Sequence, residues 1–271
     1  MSTIASFPAV DHAPDPAQLI GFLDTARTLP GLRIAKSLAL AGLNLKPGDA
    51  VADIGCGPGA DTQEMAWRVA PGGTAIGVDT SQAMLAEARR RADGTPLPIQ
   101  FRQGKADGLP LASHEVDACR ADTLLQHVPD PAGVIAEMTR VTRPGGRISV
   151  LEFDLGTLTI DHPDQATTGR LVQAAVAAFP DGRAGRGLRR LLTHAGLADV
   201  TVHTQFVEPD LPFLLRVLQP AFIQLSAEQL GRWQADLDHA WRSGTFTAGA
   251  LVFVATARIP VMAARETSEV A

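Results

Sequence analysis

Between residues 53 and 79 two carboxylates frame a run of glycines, an arrangement suited to holding a nucleoside. The run is Asp53-Ile54-Gly55-Cys56-Gly57-Pro58-Gly59, set between an apolar stretch and a helix-patterned one. Glycines there permit a tight turn and let a ligand approach the backbone, while the start of the following helix offers unpaired N–H groups. Asp79 stands 20 residues beyond Gly59, at the end of the next apolar stretch. A carboxylate in that place can accept both hydroxyls of a ribose. Dinucleotides and other adenosine ligands share these needs. Asp53 weighs against the dinucleotide, because an acid at the strand's end repels pyrophosphate and is able to hold an ammonium group.

Other residues have chemistry to offer further along. His127, in LLQHVPDP, follows the fourth apolar strand and is either a base for an acceptor hydroxyl or a loop histidine that orders the pocket. His162, in TIDHPD, has Asp161 and Asp164 beside it, and a carboxylate neighbour orients imidazole and raises its pKa; an exposed turn explains the same letters. His194, late in RRLLTHAGL, suits the C-terminus of a helix. Glu152 and Asp154 close a strand where ligands bind in open sheets. Arg170, Arg183, Arg186 and Arg189 could meet an acidic substrate or line a solvated face, and Phe206, Phe213, Phe222, Trp233 and Trp241 could form an apolar pocket or core. Cys56 and Cys119 are the only cysteines. They read as reduced and buried, and no set of ligands has metal spacing. The chain has no tyrosine, which rules out a phenolic acid or base.

The elements that must position these groups alternate. Strands are expected at 49–54, 75–79, 98–106, 115–122 and 147–154, separated by helices over 61–71, 81–92 and 131–143. Apolar strands alternating with helices of about a dozen residues argue for a mainly parallel sheet covered on both faces. Ahead of them the first 18 residues read as a loose arm, and 22–45 as two helices interrupted at Pro30-Gly31. Residues 155–185 are too long for an ordinary connection and read as an insertion over the functional edge. A helix over 185–196, a strand over 199–207, a helical region over 211–243 broken at Pro220, a last strand over 249–259 and a disordered tail after Pro260 complete the chain.

Composition sets the outer bounds. The 271 residues are 45% hydrophobic and 20% charged, with mean hydropathy +0.07, so a compact globular chain is expected rather than a disordered one. The net charge of -5 and the lack of a basic tract give no field for a polyanion, so no nucleic-acid partner is expected. No apolar run approaches the roughly 20 residues that cross a bilayer, and no signal peptide is seen, so no membrane partner and a cytoplasmic location are expected.

The segments VADIGCGPGADT, GVDTSQAM, GLPL and RVTRPGGRISVLEFD resemble the class I S-adenosylmethionine-dependent methyltransferases, in particular the ubiquinone and menaquinone biosynthesis-like small-molecule branch. The resemblance is strong over about residues 30–155 and looser beyond. It implies an α/β fold: a Rossmann-like, seven-stranded, mostly parallel sheet of order 3-2-1-4-5-7-6 with helices on both faces and a helical lid. One domain is expected over 1–271, with N-terminal helices at 19–48, a cofactor-binding core at 49–154, a lid insertion at 155–182 and the rest of the sheet and the substrate pocket at 183–260. The implied cofactor is S-adenosylmethionine. Gly55, Gly57 and Gly59 would cradle its methionine part with Asp53 nearby, Asp79 would take the ribose, Ser81 and Met84 would border the adenosine, and Ala106 and Asp107 the adenine. Arg120 would lie near the amino-acid end, with Asp122 and Gln126 near the pocket. Lys105 departs from the branch, which often has an acid there. The implied reaction is methyl transfer to oxygen or carbon of a small, partly hydrophobic metabolite, with His127 and His162 as candidate catalytic residues, no metal, and a monomer or homodimer. The alternatives are another reaction on the same cofactor, such as cyclisation, or a non-catalytic nucleoside-binding partner.

Overall fold

A computed structural model describes residues 4–261; the tail expected after Pro260 falls, from residue 262 on, outside the described residues. One sheet has the order β3-β2-β1-β4-β5-β7-β6. Its strands are β1 Ala50–Ile54, β2 Thr74–Asp79, β3 Ile99–Gln103, β4 Val116–Asp122, β5 Thr142–Ile160, β6 Ala198–Val207 and β7 Ala248–Arg258. The pairs among β1 to β5 are parallel, and β7 runs antiparallel to both β5 and β6. The order agrees with what the resemblance implies.

Alternation along each strand decides what faces which layer. Ala52 and Ile54 of β1 and Cys119 and Ala121 of β4 pack with Val134, Ile135 and Met138 of helix α5 (Pro131–Val141) and with Leu188 and Leu192 of α7 (Ala184–His194). Val51 and Ala118 face the other way, onto Leu40 and Leu43 of α2 (Pro30–Leu43) and Met65 and Val69 of α3 (Ala60–Val69). Asp53 and Arg120 are register partners on β1 and β4 and share the parity of Val51 and Ala118. The same period that builds the core thus puts opposite charges side by side under α2 and α3.

Several expectations change at the ends of the chain. The opening arm is not loose: residues Ile4–His12 are 3-10 helical with a kink at Ala9, and α1 already begins at Pro16, running Pro16–Ala26 with Asp15 as N-cap. Asp11 accepts hydrogen bonds from Ser81 Oγ at 2.5 Å, Gln82 N at 2.9 Å and Ala83 N at 3.0 Å, so the arm caps α4 (Gln82–Ala92). Pro30 opens α2 rather than merely breaking a helix, since its missing N–H has no partner to lose at N1. The expected insertion starts as strand: after an irregularity between Asp154 and Thr159, β5 pairs again with β7 through Thr159–Gly249 and Ile160–Ala248. Helix α6 (Gln165–Ala177) follows. The helical region does break at Pro220, into α8 (Leu211–Leu218), a 3-10 turn over Gln219–Gln224 and α9 (Ala227–Ser243).

Gly59 holds the loop after β1 against the sheet. Its φ is +78°, and a Cβ there would stand 2.8 Å from Ala88 Cβ and 2.9 Å from the Phe101 ring. Gly94 also has a positive φ, +72°, with nothing within 4 Å of its would-be Cβ. Gly59→Ala is therefore expected to cost backbone strain plus a clash, about 2–4 kcal/mol, and Gly94→Ala the strain alone, about 1 kcal/mol, measured by urea unfolding.

Candidate functional site

Three cations and three carboxylates meet at the carboxyl ends of β1 and β4. Arg120 Nη1 donates to Asp53 Oδ1 at 3.1 Å and its Nη2 to Asp61 Oδ2 at 3.0 Å, with a further short ion pair to Asp122. Lys36 of α2 bonds Asp61 at 2.7 Å and also pairs with Asp122, while Arg27, just past α1, pairs with Asp61. Thr62 Oγ1 donates to Asp53 Oδ2 at 2.8 Å, so both Asp53 oxygens are taken. Asp53 is thus paired with a cation and hydrogen-bonded, each oxygen keeping a further lone pair, and it lines the cavity. Burial still pushes the Asp53 pKa up, with Arg120 opposing. Burial also works against the Asp61 charge, but Arg120, Lys36 and Arg27 together hold its carboxyl well below the usual range. For Arg120 the same burial is outweighed by Asp61, Asp122 and Asp53, which keep the guanidinium charged.

A cavity of about 500 Å³ opens above this cluster, within the range of small-molecule sites. Asp53, Asp61, Asp122, Arg27, Lys36 and Arg120 line one region together with Gly55, Cys56, Gly57 and Pro58. Gly55 and Gly57 take φ values of +71° and +50°, which keeps side chains off the loop where the cavity touches it. Asp79, at the end of β2, accepts from Gly57 N and Ser81 N, both at 2.9 Å. Burial raises its pKa and those backbone donors oppose the rise. Val78, Met84, Lys105, Ala106 and Asp107 continue the wall beyond it.

Much of the remaining lining is apolar. Phe7 and Val10 of the arm, Phe22 of α1, Phe153 and Leu155 of β5, Phe179 and Phe213 belong to it. His127 lies between Phe7 and Phe179, with ring centroids 5.6 and 5.3 Å away. Burial lowers its pKa to about 4, so the ring is neutral at pH 7. Its Nε2 meets the Gln126 side-chain nitrogen at 3.2 Å, whereas His127 Nδ1 and Gln126 Oε1 are buried without partners. Behind this loop, Glu152 Oε1 accepts from Leu124 N at 2.8 Å and Leu125 N at 2.5 Å, and burial lifts the Glu152 pKa to about 8. Thr123, at the cavity edge, holds φ +51°, a conformation costly for a β-branched residue.

The structure brings Asp53, Gly55, Gly57, Asp79, Met84, Ala106, Asp107, Arg120 and His127 to one cavity. Three predicted site residues stay outside its lining. Gly59 is spent on helix packing, as described above. Ser81 is the N-cap of α4, its hydroxyl accepting from Met84 N and donating to Asp11. His162 is buried in a second core, stacked on Trp233 at 5.2 Å; its Nδ1 accepts from Asp164 N at 2.9 Å and its Nε2 bonds Trp233 O at 3.1 Å. With both nitrogens used inside the protein and no place on the cavity wall, His162 is not a base for this site.

Glu152 and Asp154 also serve the scaffold, Asp154 pairing with Arg186 at 3.0 Å. Arg170, Arg183 and Arg189 bond Thr167, Gln173 and Val200 O, and none lines the cavity. Of the aromatics weighed as pocket or core, Phe213 lines the cavity, Trp233 is core, Phe222 packs on that core, and Phe206 and Trp241 are exposed. Arg27, Lys36, Asp61 and Phe7 were not singled out from sequence. Lys36 carried a signal, as one of three lysines against 21 arginines and a lone cation in the apolar segment IAKSLALA.

Comparison with known proteins agrees with this geometry. Residues 52–150 match the family of methyltransferase domains. Over 187 residues, 68% of this chain and 53% of the relative, the sequence is 41% identical to an uncharacterized 37.1 kDa protein in transposon TN4556 of Streptomyces fradiae. Over 112 residues, 41% of this chain and 46% of the relative, it is 38% identical to the demethylmenaquinone methyltransferase of Lactobacillus johnsonii. The chain thus spans about half the length of these relatives. Among solved structures, the YcgJ protein of Bacillus subtilis shares the fold with a TM-score of 0.60 at 17% identity, covering 85% of this chain and 100% of that one.

Two variants test the electrostatics. Arg120→Met leaves Asp53 buried without its cation and is expected to cost about 3–5 kcal/mol in urea unfolding at pH 8, with less lost at pH 5, where the carboxylate can take a proton. Glu152 holds a proton in the folded chain between its ordinary pKa of 4.5 and about 8, and the unfolded chain does not, so its contribution falls as pH rises through that window. Glu152→Gln is expected to remove that fall, on the order of a few kcal/mol, in melting curves taken from pH 5 to 8.5.

Proposed function

We propose that this protein, whose residues 52–150 match a methyltransferase domain, is of the class I type and transfers a methyl group from S-adenosylmethionine to an oxygen or carbon of a small, partly hydrophobic metabolite. The observation that carries the reading is a single cavity with a charged, glycine-lined region and an apolar one. The name of the Lactobacillus johnsonii relative supports an acceptor with an apolar body.

The residues present fit the cofactor. Gly55 and Gly57, with positive φ and no side chains, leave backbone room for the methionine part. Asp79, fixed by the N–H groups of Gly57 and Ser81, is oriented to accept ribose hydroxyls. Arg27 is the most open cation of the cluster, 32% exposed, and suits the cofactor's carboxylate, while Asp53 and Asp122, which line the cavity, suit its ammonium. Met84, Ala106 and Asp107 border the space left for adenine.

When bound, S-adenosylmethionine supplies a methyl on sulfonium, already activated for in-line displacement. The work left to the protein is positioning and the exclusion of water. The ionic cluster fixes the floor, and Phe7 and Val10 of the arm close one side, held there by Asp11 on α4. The Phe22, Phe153, Phe179 and Phe213 side chains make the acceptor's surroundings apolar.

Calorimetric titration tests the reading. S-adenosylmethionine and S-adenosylhomocysteine are expected to bind at micromolar concentration and NADH not at all, with Asp79→Ala weakening the first two by at least tenfold. Tight NADH binding, or none of the three binding to folded protein, contradicts it.

A further inference from the structure

The arm meets the cavity beside Asp79, and one carboxylate makes the junction. Ser81, the N-cap of α4, is held by two acids: its N–H donates to Asp79 at 2.9 Å and its hydroxyl to Asp11 at 2.5 Å. Asp11 also takes the next two N–H groups of the helix, those of Gln82 and Ala83. Asp79 and Asp11 thus share one helix start, where unpaired N–H groups favour negative charge. The same placement sets the two carboxylates against each other. Burial raises the Asp79 pKa first, and the Asp11 charge adds to the rise.

Next to this junction the arm is apolar. Val10 is buried with Leu19 of α1 and Met84 of α4, and Phe7, Val10 and Met84 all line the cavity. The Phe7 ring reaches Phe22 at 6.1 Å and His127 at 5.6 Å, so the arm spans from α4 to the turn after β4. Helix α1 behind it is anchored separately, by Asp24 on Arg91 at 2.7 and 2.8 Å and by Arg27 on Asp61. The arm's polar tie to α4 is the exposed Asp11 side chain.

Resting on the cofactor reading above, we propose that Asp11 couples the arm to the ribose site, so that docking of residues 7–13 on α4 and binding of the nucleoside strengthen one another. Asp11 is a positioning residue: it fixes Ser81, which orients Asp79, and it brings Phe7 and Val10 onto the cavity. Two differences between the empty and the filled site drive the coupling. Ribose hydroxyls donating to Asp79 offset its charge and relieve the repulsion on Asp11, and a ligand gives Phe7 and Val10 a surface to cover. By linkage, whatever the nucleoside adds to arm docking, arm docking adds to nucleoside affinity.

The amide protons of Gln82 and Ala83 report the tie in the unsubstituted chain. With S-adenosylhomocysteine as probe, hydrogen exchange at these two amides is expected to slow at least tenfold on saturation. The Gln229 amide, capped by Ser226 on α9, serves as the remote reference and is expected to change less than twofold. Asp11→Ala is expected to weaken S-adenosylhomocysteine about tenfold in calorimetric titration and to abolish the exchange response, and Asp11→Asn, which keeps one oxygen acceptor, to fall between. Ser226→Ala removes a cap from α9 and is expected to leave S-adenosylhomocysteine affinity unchanged, which separates coupling from the loss of a helix cap. Equal exchange at Gln82 and Ala83 with and without the probe, or an affinity loss below threefold in Asp11→Ala, overturns the proposal. The two readings fail differently: probe binding to the unsubstituted chain without the exchange response rejects this inference alone, and absent probe binding rejects the cofactor reading beneath it.

Discussion

The ion pair between Asp53 and Arg120, in register on adjacent strands and almost wholly buried, is the constraint on which the site depends. Taking these charges from water costs more than one attraction returns, so the pair persists only within a network that satisfies the remaining lone pairs and protons. Thr62, Asp61, Asp122, Lys36 and Arg27 supply that network. Because Lys36 and Arg27 come from α2 and the end of α1, the network also fixes where the N-terminal helices lie on the sheet. The glycine loop, α3 and the N-terminal helices are therefore held by the same charges that form the cavity floor.

From that floor the cavity changes character over a short distance. Charge is concentrated at the carboxyl ends of β1 and β4, and much of the remaining lining is built of phenylalanines from the arm, α1, β5, α8 and the segment after α6. A sulfonium cofactor and an apolar acceptor make opposite demands on solvent, and this division meets both. Glu152 links the two regions from below, since its carboxyl collects the N–H groups of the turn that presents Gln126 and His127.

Periodicity made the fold legible. Strands β1, β2 and β4 and helices α3, α4 and α5 follow the apolar pattern of the sequence, and Gly55, Gly57 and Asp79 lie where a turn and a strand end require them. The ionic partners were less visible, because pairing of Lys36 and Asp61 with Arg120 depends on how α2 packs on α3, which no local pattern encodes. Around His162 the letters DHPD suit both a lid base and a capped helix start; the structure uses Asp164 as the N-cap of α6 and buries the imidazole against Trp233. Ser81 likewise followed the logic of an N-cap. The arm looked loose for its proline and alanine content, yet Asp11 finds the free N–H groups of α4 and docks it.

A crystal structure of the chain with S-adenosylhomocysteine tests the central claim most directly. Ribose hydroxyls within hydrogen-bond distance of Asp79, the amino-acid end against Gly55, Gly57 and the Arg120 cluster, and sulfur opening toward Phe7 and His127 are the expected result. A nucleoside bound away from Asp79, or an ionic cluster dismantled to admit it, contradicts it.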